Sequence, residues 1–283
     1  MPIPCILDRA SPPHGRRVPA VLARYNRLFA SDGHCVDVAV DHGLAGAVVP
    51  AAASESVRKV IGALVDAGPD AVQLSPGQAP LLQLHPGPDK PALVMRADVT
   101  NAHSARAPGF LYSELVDDAV GRAVRMDAAC VVADLIRAPD EPRLEQACLR
   151  NVSRLKADCE PAGMPLMVAS LVTAPGNALE DTARLVRQAV ELGADIVAVA
   201  ATGDVGEYRR VVEMASDRPV LARVEGPQSE EELLRRVEEL MRQGAAGIVD
   251  ASGLTKSAAT TQALMAVVHA GMTADDALLA LDA

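Results

Sequence analysis

Residues 192 to 204 read Leu192-Gly193-Ala194-Asp195-Ile196-Val197-Ala198-Val199-Ala200-Ala201-Thr202-Gly203-Asp204, an apolar run that predicts a buried strand followed by its exit loop. Similar short runs rich in valine and isoleucine recur from Cys35 onward, with longer amphipathic stretches between them. This alternation predicts parallel strands joined by helical crossovers, and about eight such units are present, the number that closes a barrel. The sequence therefore predicts an α/β protein, a single-domain (β/α)8 TIM barrel. The predicted strands are Val36 to Val40, Ala71 to Leu74, Ala92 to Arg96, Cys130 to Asp134, Leu166 to Ser170, Ile196 to Ala200, Val220 to Val224 and Gly247 to Asp250.

The predicted helices lie between these strands, and in the second unit only the short segment Gln78 to Leu84 is available for one. No Gly/Ser-rich or low-complexity linker interrupts the series, so we expect one domain over residues 31–283. Residues 1–30, which begin with several prolines, predict an irregular N-terminal arm. The other helices are expected to start near Ser54, Ser113, Arg143, Leu179, Val205, Ser229 and Ser257.

The composition agrees with a barrel and excludes several classes of partner. With 49% hydrophobic but 2% aromatic residues, the core must consist of Ala, Val, Leu and Ile. A formal net charge of -10 argues against nucleic acid, because that affinity comes mainly from basic groups that neutralise phosphates. No apolar run is long enough to predict a membrane span, and no signal peptide is recognised. The five cysteines form no close CxxC pair, so we expect reduced thiols in a cytoplasmic protein.

Several segments carry a resemblance to a known family. They are the strand end Asp41-His42-Gly43, the stretch Leu192 to Asp204, the run Arg218 to Pro227, the segments Glu230 to Glu239 and Gln243 to Ile248, and the ending Ala270-Gly271-Met272-Thr273. Together they resemble the archaeal-type class I fructose-bisphosphate aldolase family, which includes 2-amino-3,7-dideoxy-D-threo-hept-6-ulosonate synthase. The resemblance implies a carbon–carbon lyase or synthase, a small carbonyl substrate that is a sugar or sugar-phosphate-like compound, and assembly into a homo-oligomer.

The chain departs from this family at its two central catalytic positions. Ala198 stands where the resemblance places the Schiff-base lysine, and a methyl group cannot form an imine. The segment Ala169 to Gly176 also lacks the family's acid/base tyrosine. We therefore expect aldol chemistry without the Schiff base. Two alternatives stay open: a non-catalytic homologue that binds a metabolite or partner, and an ordinary aldolase with a relocated lysine, for which Lys256 is the candidate on the catalytic face.

The candidate site residues follow the carboxyl ends of the predicted strands, where barrel enzymes carry their chemistry. Asp41 and Asp134 are the catalytic candidates, and the resemblance assigns Asp41 to the proton transfer of the aldol step. His42 is expected to point away from Asp41 if the strand alternation continues. Arg137 is a further candidate anchor for the substrate. The substrate-binding candidates are Arg96, Asp98, Ser170, Thr202, Glu225, Gly226, Asp250, Ser252, Gly253 and Lys256.

Two further features concern phosphate and metal binding. The family's phosphate loops correspond to Glu225-Gly226-Pro227 and to Asp250 through Ser257, where two carboxylates oppose a phosphate and Lys256 favours one. No cofactor motif is present, but Mg²⁺ or Mn²⁺ is an alternative route to carbonyl polarisation if the strand-end carboxylates converge. The metal ligands stay unassigned, and the candidates are Asp41, Asp98, Asp134, Glu225 and Asp250.

Overall fold

The computed structural model describes residues 20–44, 57–102, 109–173, 178–200, 205–226, 229–252 and 258–281. Its strands are β1 (Cys35–Ala39), β2 (Ala71–Leu74), β3 (Ala92–Arg96), β4 (Asp98–Thr100), β5 (Ser113–Leu115), β6 (Cys130–Arg137), β7 (Leu166–Val172), β8 (Ile196–Ala200), β9 (Val220–Val224) and β10 (Gly247–Asp250). Eight of them form a closed parallel barrel in the order β1-β10-β9-β8-β7-β6-β3-β2. The predicted (β/α)8 barrel is confirmed, and the predicted strands match the barrel strands closely.

The helices lie between the strands as the crossover pattern predicts. They are α1 (Leu22–Leu28), α2 (Val57–Ala67), α3 (Ala79–Gln83), α4 (Ala119–Arg125), α5 (Pro142–Ala162), α6 (Ala178–Glu191), α7 (Tyr208–Met214), α8 (Glu230–Arg242), α9 (Ala258–Ala270) and α10 (Ala274–Leu281). The start near Ser229 is confirmed, because the Ser229 hydroxyl accepts the Glu232 N–H at 3.2 Å and caps α8. Among the described residues, no helix has the length and apolar character that a membrane crossing requires.

The helix expected from Ser113 is wrong. Residues Ser113–Leu115 pair with β4 as an antiparallel hairpin, and α4 begins only at Ala119. Asn101 stabilises the hairpin, because its amide donates to the Phe110 carbonyl at 2.9 Å and accepts the Tyr112 N–H at 2.9 Å. The Ser113 hydroxyl accepts a hydrogen bond from Asn151 rather than capping a helix. This hairpin follows β3 directly and therefore lies at the carboxyl end of the barrel.

The core has two layers, because successive side chains of a strand point to opposite faces. The outer layer packs strands such as β7, through Leu166 and Val168, against the helices. The inner layer fills the barrel with small side chains that include Ala39, Ala169 and Ala198. The core thus consists mainly of aliphatic side chains, as expected, although the aromatic Tyr208 is also fully buried in it. The alternation identifies which polar residues face the interior.

Helix α1 closes the amino-terminal end of the barrel. Leu28 is buried there, and the Tyr25 hydroxyl donates to the Asp195 carbonyl. Arg24 donates to the Ala128 carbonyl at 3.1 Å. Residues 22–28 are therefore a packed helix, which corrects the expectation of an irregular arm for this part. The apolar residues Leu28 and Tyr25 at helical spacing explain why the segment folds against the barrel.

The same end carries an ion cluster around His269 of α9. Its Nδ1 lies 2.7 Å from Asp32 Oδ2 and its Nε2 lies 2.9 Å from Asp70 Oδ2. Asp70 Oδ2 also accepts the Val36 N–H at 2.7 Å. The hydrogen bonds that the imidazole donates to Asp70 and Asp32 raise the pKa of His269 to about 9. The cluster thus holds a charged imidazole that joins α9 to the start of β1.

The seam between β1 and β10 depends on a glycine. Gly247 pairs with Cys35 in the parallel register and has a φ of +135°. A Cβ atom at this position would lie 2.0 Å from the Cys35 carbonyl oxygen. Only glycine allows the two backbones to approach this closely, so the last barrel strand can pair with the first.

Candidate active site

A buried arginine and three carboxylates form the centre of the site. Arg96 ends β3 and is 1% exposed. Its Nε donates to Asp41 Oδ2 at 2.6 Å, and its Nη1 donates to Asp134 Oδ1 at 2.7 Å and to Asp98 Oδ1 at 3.2 Å. We call these four residues the Arg96 network. The sequence predicted all four as site residues, and the structure brings them into direct contact.

Strand alternation explains how the network assembles. Ala92 and Val94 face the barrel interior, so Arg96, two residues further along, does too. Gln73 of β2 is also an inward residue, and its Nε2 donates to Asp41 Oδ2 at 2.8 Å. The Asp134 N–H donates to Asp98 Oδ2 at 2.9 Å, which connects the hairpin to β6. The network therefore lies where strands of the barrel end, the end at which barrel enzymes carry their chemistry.

The network gives its carboxyl groups different protonation behaviour. Burial acts to raise the pKa of Asp41, but the charge and hydrogen bond of Arg96 outweigh it and hold that pKa below its usual value. Burial, reinforced by the neighbouring Asp134, raises the pKa of Asp98 to about 7. At neutral pH the site therefore combines an ionised Asp41 with a nearby carboxyl group that can hold or release a proton.

Asp41 keeps one oxygen available. Both donors that it receives, from Arg96 and Gln73, bind Oδ2. Within the described ranges, Oδ1 accepts no hydrogen bond. A carboxylate that is fixed through one oxygen presents the other in a defined direction, which suits a group that must receive a proton from a substrate.

A second buried arginine lies on β9. Arg223 follows the inward-facing Leu221 by two residues and is 6% exposed. Its Nε donates to Glu225, whereas its buried Nη1 has no partner among the described residues. Asp37, on the inner face of β1, is fully buried and neither of its carboxylate oxygens receives a hydrogen bond there. Burial, with a further contribution from Asp41, raises the pKa of Asp37 to about 8, and Arg223 opposes this rise.

The sequence analysis missed Arg223 and Asp37. Both are charged residues inside five-residue strands that are otherwise apolar: Arg223 is the fourth residue of Val220–Val224, and Asp37 is the third of Cys35–Ala39. A charged residue within an apolar strand indicates a polar site, because its side chain must find a polar environment inside the barrel or between helices. Candidates taken only from strand ends do not include these two positions.

Three of the remaining candidates, Glu225, Gly226 and Ser252, lie just after barrel strands. Glu225 and Gly226 follow β9 at the carboxyl end, where Glu225 accepts the bond from Arg223 and Gly226 adopts a left-handed φ of +74°. The Ser252 N–H donates to Asp250 Oδ1 at 2.9 Å in the turn after β10. Thr202, Gly253 and Lys256 lie outside the described residues.

Two candidates face the helices instead of the barrel interior. Ser170 has the same orientation as Leu166 and Val168, which pack in the outer layer. Asp250 has the orientation of Ile248, which also belongs to that layer. Both were predicted to bind the substrate, and this stays a prediction; their outward orientation arises because the carboxyl end of a strand contributes residues of both faces.

Arg137 does not reach the interior either. Its Nη1 donates to Glu145 Oε1 at 2.7 Å and its Nε donates to Asp181 Oδ1 at 3.3 Å. These partners belong to α5 and α6, so the guanidinium lies between two helices. The expected role as a substrate anchor has no support from this position.

His42 lies in the turn after β1, beyond the regular strand. Burial lowers its pKa, Arg223 adds to that effect, and the carboxylates of Asp41, Asp250 and Glu225 oppose it. The imidazole therefore lies near the charged groups of the mouth. The expectation that it points away from Asp41 required the strand alternation to continue, but the strand ends at Ala39.

The carboxylates do not form a metal site in the described part of the chain. There, no three His, Cys, Asp or Glu side chains are placed to hold an ion. Asp41, Asp98 and Asp134 do converge, but around the guanidinium of Arg96, which supplies the positive charge at their centre. The arrangement found here therefore does not fit the Mg²⁺ or Mn²⁺ alternative.

The inner face of β8 is aliphatic. Ala198 is 1% exposed and pairs in register with Ala169 and Leu221. The described lysines lie elsewhere: Lys59 is exposed on α2, Lys90 donates to Gln83 Oε1 at 2.7 Å, and Lys156 pairs with Asp195 at 3.1 Å. β8 thus carries no amine.

Comparisons with known proteins agree with this architecture. The chain is 27% identical over 253 residues to the 2-amino-3,7-dideoxy-D-threo-hept-6-ulosonate synthase of Halobacterium salinarum, covering 87% of this chain and 91% of that protein. It is 28% identical over 236 residues to an uncharacterized aldolase of Saccharolobus solfataricus, covering 80% and 84%. A solved structure of a Schiff-base-forming fructose-1,6-bisphosphate aldolase has a TM-score of 0.74 at 25% identity, covering 88% of this chain and 100% of that one.

The family assignment rests on a match over most of the barrel. Residues 35–255, from the start of β1 to beyond the end of β10, match the DeoC/LacD family aldolases. This chain therefore belongs to the DeoC/LacD aldolase family.

Proposed function

We propose that this protein is an aldolase-type lyase or synthase that breaks or forms a carbon–carbon bond next to the carbonyl group of a small substrate. The family membership and the related synthase and aldolases support this reaction class. The observation that carries the proposal is Asp41, ionised and fixed by Arg96 at the carboxyl end of the barrel with one oxygen available. A site of this kind suits proton transfer to and from an aldol hydroxyl.

In the cleavage direction, Asp41 receives the proton of the hydroxyl group on the carbon that becomes an aldehyde. The carbon–carbon bond then breaks, and its electron pair passes to the carbon next to the carbonyl, which gives an enolate. Arg96 keeps Asp41 ionised and oriented before this step. Asp98 and Asp134 fix the guanidinium from its other side, so they position Asp41 indirectly.

The proposed reaction proceeds through an enolate because no amine occupies β8. Ala198 stands on the inner face of that strand, where the family resemblance places the Schiff-base lysine. A borohydride trapping experiment tests this part directly. Incubation with dihydroxyacetone phosphate or with pyruvate, followed by reduction, should leave the intact mass of the protein unchanged. An adduct on any lysine, Lys256 included, would show an imine mechanism with a relocated lysine.

The test of the main proposal is the variant Asp41→Asn. We expect kcat/KM for cleavage or condensation of the best substrate in a panel of small sugars, sugar phosphates and oxo acids to fall by about 100-fold or more. Asp127→Asn is the matched control, since this aspartate pairs with Arg27 at the exposed opposite end. Thermal unfolding of both variants separates lost chemistry from lost structure. A folded Asp41→Asn protein with unchanged kcat/KM would refute the assignment.

A non-catalytic role is the second candidate, and the aliphatic inner face of β8 favours it. In that case the barrel would bind a metabolite or a partner without turning it over. The panel distinguishes the two: compounds that raise the unfolding temperature without any turnover, at all conditions tested, would support the binding role. Turnover that depends on Asp41 would exclude it.

The setting of this activity is also part of the proposal. We expect residues 31–283 to act as one catalytic domain in a cytoplasmic homo-oligomer. The apolar side chains Leu84, Phe110 and Leu279 are largely exposed in the single chain, which supports association. Light scattering after size-exclusion chromatography measures the number of subunits.

A further inference from the structure

The inner face of the barrel carries several buried polar atoms without a partner among the described residues. They lie on β1, β2, β3 and β9, four strands whose inner faces line the barrel interior. Buried donors and acceptors normally find a partner, so such a group indicates a place where a polar ligand is held. The atoms are both carboxylate oxygens of Asp37, Gln73 Oε1, Arg96 Nη2 and Arg223 Nη1.

The two buried arginines differ in how their charge is balanced. Three buried carboxylates surround Arg96. Among the described residues, Arg223 is paired with Glu225 alone, whose side chain is 42% exposed. Asp37 does not balance it at neutral pH, since burial and Asp41 raise its pKa to about 8 and keep it mainly protonated. Arg96 Nη2 and Arg223 Nη1 both lack a partner in the described structure, but Arg223 is the buried arginine whose charge is left for a ligand.

Arg223 also lies beside the proposed chemistry. It is inward-facing on β9, and its charge acts on both Asp41 and His42. The nearby inner wall of the barrel consists of small side chains such as Ala39 and Ala198, which offer no hydrogen bonds. Polar contacts with a ligand therefore have to come from the few polar residues of the inner face. A substrate held by the guanidinium would thus place its reacting carbons near Asp41.

We propose that Arg223 binds the carboxylate of the substrate, and that the carbonyl substrate of this barrel is therefore a short 2-oxo acid. The inference rests on the proposed function, whose substrate class it narrows. A guanidinium matches a carboxylate through parallel N–H donors, and Glu225 orients it through Nε. A phosphate dianion fits less well, because Glu225 and Asp41 repel its second charge and Arg96 is already enclosed by carboxylates.

Binding measurements on the full-length protein test this inference without requiring turnover. Isothermal titration calorimetry with pyruvate, dihydroxyacetone and inorganic phosphate compares a carboxylated ketone, a neutral ketone and a free anion. We expect pyruvate to bind more tightly than both, and Arg223→Met to weaken pyruvate binding by 30-fold or more, roughly the loss of a charged hydrogen-bonded pair. Arg187→Met, which removes an exposed arginine paired with Glu191 on α6, should leave the affinity unchanged.

A second variant keeps the test valid if Arg223→Met does not fold. Glu225→Gln removes the one carboxylate paired with Arg223 at a partly exposed position, and it should tighten pyruvate binding by about three- to tenfold. A purely structural role of Arg223 would not produce tighter binding. Unchanged or weaker binding in this variant contradicts the inference.

The outcomes also separate this inference from the proposed function. Pyruvate binding that is absent in the wild type, or that survives in folded Arg223→Met, overturns the role of Arg223 even if Asp41-dependent cleavage of another substrate is found. Preference for inorganic phosphate over pyruvate also overturns it. Arg223-dependent pyruvate binding without carbon–carbon chemistry would instead retain the anchor and refute the proposed reaction.

Discussion

The two ends of the barrel handle charge in opposite ways. At the amino-terminal end, His269 lies between Asp32 and Asp70, and these side chains are between 15% and 32% exposed. At the carboxyl end, Arg96 and its three carboxylates are at most 2% exposed. In the strands that lead to this end, Arg223 and Asp37 contain buried atoms without partners in the described structure. The amino-terminal end thus has paired charges that are partly exposed to solvent. The carboxyl end has buried polar groups, some of which have no partner in the described structure.

This difference indicates which end serves stability and which serves function. Matched, partly hydrated pairs contribute modestly to stability and cost little to desolvate. Buried carboxyl groups and arginines with unused donors oppose folding, and a chain retains them where they act on a ligand. The contrast agrees with the general rule for barrels, in which chemistry occupies the carboxyl ends of the strands.

Among the variants that test this difference between the two ends, Arg96→Met should have the largest effect. The substitution leaves Asp41, Asp98 and Asp134 buried together without a cation, so we expect the free energy of unfolding to fall by about 3–5 kcal/mol. Urea denaturation at pH 7 measures it. A loss below about 1 kcal/mol, as for an exposed ion pair, would show that the network is hydrated and that the two ends do not differ in this respect.

A second variant should stabilise the protein. Because Asp37 keeps its proton up to about pH 8 in the folded state and loses it near pH 4 when unfolded, its contribution to stability declines as the pH rises through this window. Asp37→Asn stays neutral, and we expect it to be more stable than the wild type by about 1–3 kcal/mol at pH 8. Denaturation at pH 4 is the internal control, where the difference should nearly vanish. A destabilised variant at pH 8 would mean that the ionised Asp37 supports the fold.

At the amino-terminal end stability should also decline as the pH rises, but there removal of the titrating group should destabilise the protein. The pKa of His269 is raised to about 9, so its stabilising charge is fully present below about pH 6.5 and is lost as the pH rises through 9. His269→Gln should therefore lower stability by about 1–2 kcal/mol at pH 6, and the difference from the wild type should disappear near pH 10. Thermal unfolding across this range measures both. A difference independent of pH would indicate lost packing instead of lost charge.

The smallest effect is expected for an exposed pair at the same end. Arg27 donates to Asp127 at 2.9 Å, with side chains that are 39% and 69% exposed. Arg27→Met should change stability by less than about 1 kcal/mol, and less still at 1 M salt. This variant is the reference for Arg96→Met, since it removes the same functional group from a hydrated position. A loss comparable to that of Arg96→Met would remove the distinction between the two ends.

The sequence predicted the barrel because buried parallel strands and their crossover helices leave a clear alternating pattern. It predicted Asp41, Arg96, Asp98 and Asp134 for the same reason, since the ends of such strands meet at one edge. It did not separate inward from outward positions, because a strand that is buried on both faces is apolar throughout. The predicted substrate-binding residues therefore include the outward-facing Ser170 and Asp250 but not the inward Arg223.

The hairpin shows a second limit of local pattern. Ser113 followed by Glu114 favours a helix start, but β4 offers this segment backbone partners, from Thr100↔Ser113 to Asp98↔Leu115, that lie 13 or more residues earlier in the chain. A pairing between distant residues cannot be seen in the local periodicity, and here it outweighs the local preference.

The glycine at the seam has a consequence for how the protein is made. Because β10 is the last barrel strand and β1 the first, nearly the whole chain must leave the ribosome before the ring can close. Until then, β1 exposes a free edge on one side, and other chains could pair with it. A bulkier residue at position 247 would prolong that exposure by blocking the final pairing, so its harm would include aggregation during synthesis.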